Sequence, residues 1–173
     1  MNCNEIRECV DSAIDLLYKT QQDLFDLDVN EVTINSYLAE YLRGYFPEHK
    51  VDIEYNREHV PRLSVHGTKK TITPNGEEQN IKLDIIVHKR NHNTSNSNLL
   101  VIECKKQWNT DTDERNKDLQ ILGGMTMAPE DAKEIGYNGP VFAYKIGLFI
   151  DYGRTRQETV VKRIKNGTNE FYR

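Results

Sequence analysis

The sequence predicts an α/β domain with one central sheet flanked by helices. Three observations carry this. Two amphipathic helical patterns fill residues 4–26 and 31–46. Three strand patterns follow, at 51–56, 82–89 and 98–105. A helical pattern at 112–122 then precedes a further strand within 140–153. Helices, strand, loop, strand, strand, helix and strand in that order suit one sheet covered by helices. The 173 residues are enough for one domain with a real core, and neither a repeat nor a linker divides 1–173.

Each element has a local reason. In residues 4–26, Ile6, Val10, Ile14, Leu17 and Leu24 recur at helical spacing among acids. In 31–46 the stripe is Ile34, Leu38, Tyr41, Leu42 and Tyr45, with Asn30 as N-cap and Pro47 just past the end. "VDIEYN" alternates Val51, Ile53 and Tyr55 with acids, as a half-buried strand does. Residues 57–80 are polar and hold Pro61, Gly67, Pro74 and Gly76, which predicts a long loop with a small hairpin around "KKTITPNGEE". The Asn/Ser-rich "NHNTSNSN" makes the turn between the next two strands. The helix at 112–122 is expected to stop at Gly123-Gly124, and Pro129 to open a short helix at 129–135. "QETVVKRIKNG" reads equally as a strand or a short helix.

Composition excludes several classes. Hydrophobic residues make up 37% and mean hydropathy is −0.72, with no apolar run long enough for a membrane span. The N-terminal "MNCNEIRECVDS" lacks an apolar signal core, so a cytoplasmic location is expected. Cys3, Cys9 and Cys104 are scattered and fit neither a disulfide framework nor a zinc site. The net charge of −4 counts against a polyanionic partner. The distribution is uneven, however. Lys145, Arg154, Arg156, Lys162, Arg163, Lys165 and Arg173 face only Asp151, Glu158 and Glu170 in the last stretch. This is either an ordinary solvated surface or a face that meets a polyanion.

The chemistry is suggested by charges inside apolar strands. Glu103 and Lys105 are two residues apart and share one face, while Leu100, Ile102 and Cys104 take the other. Asp84 lies among Leu83, Ile85 and Ile86 on the preceding strand. If these strands form a hairpin, Asp84 comes beside Glu103. Two adjoining carboxylates repel and lose solvation, and a divalent cation relieves both costs. Mg²⁺ takes oxygen ligands from one or two carboxylates plus waters and phosphate. Lys105 could then orient a water or stabilise charge on phosphorus. A plain salt bridge on a solvent-facing sheet accounts for the same three residues.

Asp84 followed by Glu103-Cys104-Lys105 resembles the bipartite signature of the PD-(D/E)xK, or restriction-endonuclease-like, nuclease superfamily. "VDIEYNRE", "LDIIVHKR" and "LLVIECKKQ" in series are similar to small prokaryotic and phage-associated members, over about residues 30–150. Leu83 stands where the motif has its proline, which is not a ligand. The resemblance implies a central mixed sheet flanked by helices, a Mg²⁺ (or Mn²⁺) cofactor and a nucleic-acid substrate, DNA in the first instance. It implies that Asp84, Glu103 and the Cys104 carbonyl hold the metal and that Lys105 assists the water. Many members add a glutamate on the helix before the sheet, for which Glu31 and Glu40 are candidates. They lie about 180° apart on the helix, with Glu31 within roughly 40° of the apolar stripe. Glu31 is therefore assigned as a direct or water-mediated metal contact, the other reading being a residue favoured by the helix dipole.

Gln120, on the following helix, is placed near substrate by the resemblance, with Asp118 nearby. Glu54 either supports the site or pairs with Arg57. His88 is expected at the surface, and His59, His66 and His92 show no metal spacing. Trp108 and Tyr137 either stack on bases or fill the core. A homodimer is open, since cutting both strands of a duplex often uses two copies. The alternative functions are a catalytically inactive nuclease-fold module that binds nucleic acid or protein, and a structural protein pairing through its acidic N-terminal helix.

Overall fold

The computed structural model describes residues 1–60, 65–68, 70–72, 78–90, 97–136, 141–165 and 168–171. Helix α1 (Cys3–Thr20) begins at Asn2, whose side chain accepts from the Asn4 and Glu5 amides while Glu5 returns a carboxylate to the Asn2 amide. This reciprocal pair satisfies amides that have no partner within the helix. Gln21 leaves helical backbone angles (φ −135°, ψ 33°), so the expected single helix over 4–26 is two, the second being α2 (Gln22–Asp26). The break lets Phe25 fold back on Tyr18, with ring centroids 4.1 Å apart, and meet Tyr152 edge-on at 5.8 Å. Helix α3 (Glu31–Tyr45) starts at Asn30, whose side chain accepts from the Thr33 amide at 2.9 Å. It buries Ile34, Leu38, Ala39 and Leu42, while Tyr45 at the stripe's end is exposed.

Strand β1 (Lys50–Tyr55) is followed by four short strands, β2 (Arg57–Val60), β3 (Val65–Thr68), β4 (Lys70–Ile72) and β5 (Glu78–Asn80). They pair antiparallel as β2–β3 and β4–β5. The hairpin expected around "KKTITPNGEE" is therefore present as β4–β5. The β2–β3 pair stands where only loop was expected, because both strands are four residues long, too short to show a period, and Gly67 lies within β3.

The main sheet continues with β6 (Leu83–His88), β7 (Asn98–Lys106), β8 (Ile146–Tyr152), β9 (Val160–Lys165) and β10 (Thr168–Phe171). Among the described residues its order is β1-β6-β7-β8-β9-β10. All neighbours are antiparallel except β7 and β8, which are parallel. A parallel pair needs a crossover, supplied here by α4 (Thr112–Thr126) and α5 (Pro129–Glu134). The architecture is thus α/β, a mixed sheet with helices on both faces. The tail is a strand, β9, and not a helix. The strand expected within 140–153 begins only at Ile146, because Ala143 takes a left-handed φ of 47°.

Helix α4 runs through Gly123-Gly124 to Thr126 where a stop was expected. Ile121, Leu122 and Met125 are buried on either side of the glycines, and that packing overrides their weak helix propensity. Gly147 lets the helix end come close: a Cβ there would sit 3.0 Å from Thr126 Cγ2. One core joins α1 and α3 to Ile85, Val87, Leu100, Ile102, Leu148 and Ile150. A second joins α4 to Ile86, Val101, Phe149 and Ile164. Strand β7 is buried on both faces, which is why it reads as a continuous apolar run. Among the described residues no helix is long and apolar enough to cross a membrane.

Candidate functional site

Strands β6 and β7 pair with Ile85 opposite Ile102 and Ile86 opposite Val101. One step further along, Asp84 lies level with Glu103 on the face that α4 covers. Asp84 Oδ2 accepts the Cys104 amide at 2.8 Å, so the aspartate closes the ladder with its side chain. Glu103 is only 4% exposed, and its carboxyl lies close enough to that of Asp84 for the aspartate's charge to disfavour its ionisation. The two acids therefore share one side of the sheet. Lys105, next on that face, places Nζ 3.4 Å from Asp118 Oδ2, 3.7 Å from Glu31 Oε1 and 3.7 Å from Glu114 Oε2. The Cys104 thiol is buried on the opposite face, against Tyr152.

The first turn of α3 carries Glu31 to the end of β7, where Oε2 accepts the Lys106 amide at 2.9 Å. Glu40 is exposed. Helix geometry thus separates the two glutamates in the direction expected. Glu31 is engaged with Lys105 and the β7 backbone, and among the described residues no group of three or more His, Cys, Asp or Glu side chains is arranged to hold a metal ion. The structure brings Asp84 and Glu103 together as a pair, with Glu31 one layer out across Lys105.

Electrostatics sets this pair apart. Burial pushes the Asp84 carboxyl up, a shift the Cys104 amide and Lys105 only partly oppose. Burial, and then the charges of Asp84 and Asp118, push Glu103 well up. Burial raises Asp118 to about 6 against the pull of Lys105. Burial alone would lower Lys105, but Asp118, Glu31 and Asp84 more than reverse this and hold it charged. Asp118 Oδ2 is buried and makes no hydrogen bond among the described residues; its 3.4 Å approach to Lys105 is an ion pair without hydrogen-bond alignment.

A cleft of about 310 Å³ opens onto these groups, lined by Ile81, Lys82, Lys105, Glu114, Lys117, Asp118 and Ile121. A hollow of about 510 Å³, lined among others by Arg7, Asp11 and Arg156, contains none of the candidate residues. Gln120 is exposed and does not line the cleft. Residues 114, 117, 118 and 121 of α4 make one face, and residue 120 lies about 200° around the helix from 118. Asp118 and Glu114, rather than Gln120, are the α4 residues that meet Lys105. The signal is present in the sequence: Asp118 sits one turn before the apolar Ile121, Leu122 and Met125.

Two other expectations change, for His88 and Glu54, and one is decided, for Trp108. His88 is buried, 5% exposed, and its Nε2 donates to Asp52 Oδ2 at 2.9 Å. It keeps the alternation in β6, opposite Lys50 of β1, and its ring packs on Tyr55 with centroids 4.8 Å apart. Glu54 pairs with Lys82 at 2.6 Å. Trp108 packs on the α1/α3 core, donates Nε1 to Asp28 at 2.8 Å and lies under the Arg154 guanidinium at 3.9 Å, which favours packing over base stacking. Tyr137, His92 and the side chains of His59 and His66 lie outside the described residues.

The donor set fits a hard divalent cation. A buried carboxyl, Glu103, adjoins a half-buried one, Asp84, both with raised proton affinity, and Mg²⁺ commonly takes one or two protein carboxylates and keeps waters for its other positions. No family model, curated protein or solved structure matches the chain.

Proposed function

We propose that this chain is a metal-dependent nuclease of the PD-(D/E)xK kind, acting on DNA. The observation that carries the reading is the Asp84–Glu103 pair, half-buried and buried, with Lys105 on the same sheet face and lining a cleft with Asp118. The central mixed sheet with helices on both faces agrees with what the resemblance implies.

Asp84 and Glu103, with the Cys104 carbonyl, would hold Mg²⁺ or Mn²⁺. When bound, such a cation supplies charge neutralisation and lowers the pKa of water. The chain's own residues do the rest. Lys105 is held as an ammonium, so it donates and does not act as a base. It orients the attacking water and stabilises charge growing on the phosphoryl oxygens. Asp118 and Glu31 fix that ammonium from two sides. Water adds to phosphorus, the bond to the 3′ oxygen breaks, and the products are a phosphate monoester and an alcohol. A cytoplasmic setting belongs to the same reading.

The test is incubation with single- and double-stranded DNA and with RNA, with and without Mg²⁺ or Mn²⁺. Cation-dependent cleavage of DNA by the wild type, lost in Glu103→Gln, is expected. Wild-type protein that cleaves nothing, or a Glu103→Gln variant that cleaves as well, refutes the reading.

A further inference from the structure

The cleft that Lys105 lines holds two acids, Glu114 and Asp118, and two further lysines carried by different elements. Lys82 stands two residues before Asp84 at the entry to β6, and Lys117 one residue before Asp118 on α4. Lys117 has no ion-pair partner among the described residues. Lys82 is held at 2.6 Å by Glu54, a non-glycine residue with a left-handed φ of 48° on the edge strand β1. Neither lysine forms an ion pair with Glu31, Glu114 or Asp118, which Lys105 serves, and Lys82 feels Asp84 only through a charge interaction weaker than its pairing with Glu54.

From this arrangement we infer that Lys82 and Lys117 grip the phosphates of a nucleic-acid strand on either side of the cleft, and that Glu54 masks Lys82 until a phosphate displaces it. The inference rests on the nuclease reading for the identity of the anion. It adds how a protein of net charge −4 engages a polyanion at an acid-lined site: local cations at the rim take the phosphates. Because a lysine meets phosphate as a point charge, the grip carries no base preference. Glu54 is a competitor for Lys82, so removing its charge strengthens binding.

The test is fluorescence anisotropy of the full chain with a labelled short single-stranded DNA and its duplex, over a range of NaCl with Ca²⁺ present, beside a Mg²⁺ cleavage assay. Lys117→Ala and Lys82→Ala each reduce the slope of log affinity against log salt by about one. Glu54→Gln tightens binding, and Lys82→Ala added to it abolishes the gain. Lys19→Ala on α1 and Glu40→Gln on α3 control for net charge and leave slope and affinity unchanged. The inference is overturned if Lys82→Ala and Lys117→Ala match Lys19→Ala, or if Glu54→Gln weakens binding. Cleavage by the wild type with unaltered slopes removes the lysine grip and leaves the nuclease. Altered slopes without cleavage in Mg²⁺ or Mn²⁺ leave the grip and remove the nuclease.

Discussion

Strands β1, β6 and β7 carry two clusters of buried charge at opposite ends, and the two differ in how their acids are neutralised. At one end Asp52 receives His88 Nε2 and Arg90 Nε on Oδ2, both at 2.9 Å, and Arg90 Nη2 on Oδ1. Burial pushes that carboxyl up, yet these donors more than offset it and hold it well below the usual carboxylate range. At the other end Asp84, Glu103 and Asp118 are all raised, and Lys105 is shared among Asp118, Glu31 and Glu114. An acid inside an apolar strand is therefore no sign of chemistry by itself. The direction of its shift separates a closed structural pair from a cluster that is short of cations.

Variants sharpen this contrast. The largest effect is expected for Lys105→Ala, which should keep the fold yet lower Mg²⁺-dependent cleavage by about 10²–10³-fold or more, as loss of a single electrostatic donor does. Undiminished turnover would take the lysine out of the mechanism. At the opposite end Asp52→Asn should cost about 1–3 kcal/mol in urea unfolding, because His88 and Arg90 lose a charged acceptor, while leaving cleavage per folded molecule unchanged. If it instead ablates cleavage, the two ends are not separate. Glu103→Gln should leave the melting temperature unchanged or raise it by a few degrees, at roughly 2–4 °C per kcal/mol, since the neutral amide avoids the cost of a buried charge. The same substitution should remove Mn²⁺ binding in calorimetry.

The smallest effect is in pH. The Asp52 carboxyl is depressed in the fold, so its stabilisation is complete above the unfolded value near 3.9 and disappears as pH falls through the folded value. The stability gap between wild type and Asp52→Asn should be constant near neutrality and narrow below about pH 4. A gap that widens in acid would reverse the sign assigned to this pair.

Much of the candidate site is legible in the amino-acid sequence. Asp84, Glu103 and Lys105 follow from two-residue alternation, and the preference for Glu31 over Glu40 follows from helical angle alone. What is not legible depends on partners far along the chain. Asp52 and His88 read as surface residues because each is unremarkable in its own strand; only the β1–β6 register, with Lys50 opposite His88 and Asp52 opposite Ile86, brings them together. Gln120 is a different case, since the α4 angles favour Asp118 without any tertiary information. The pairing of Glu54 with Lys82 crosses an inserted segment whose length says nothing about closure.

The sequence by itself determined the α/β class, the helix cap at Asn30, and the shared sheet face of Glu103 and Lys105. These are local properties of period and hydrogen bonding, encoded within a few residues of one another. Only the tertiary structure decided where α1 breaks, that α4 passes two glycines, and which carboxylates Lys105 serves. Those outcomes turn on buried contacts between distant segments, where packing and desolvation outweigh the small local preferences the sequence displays.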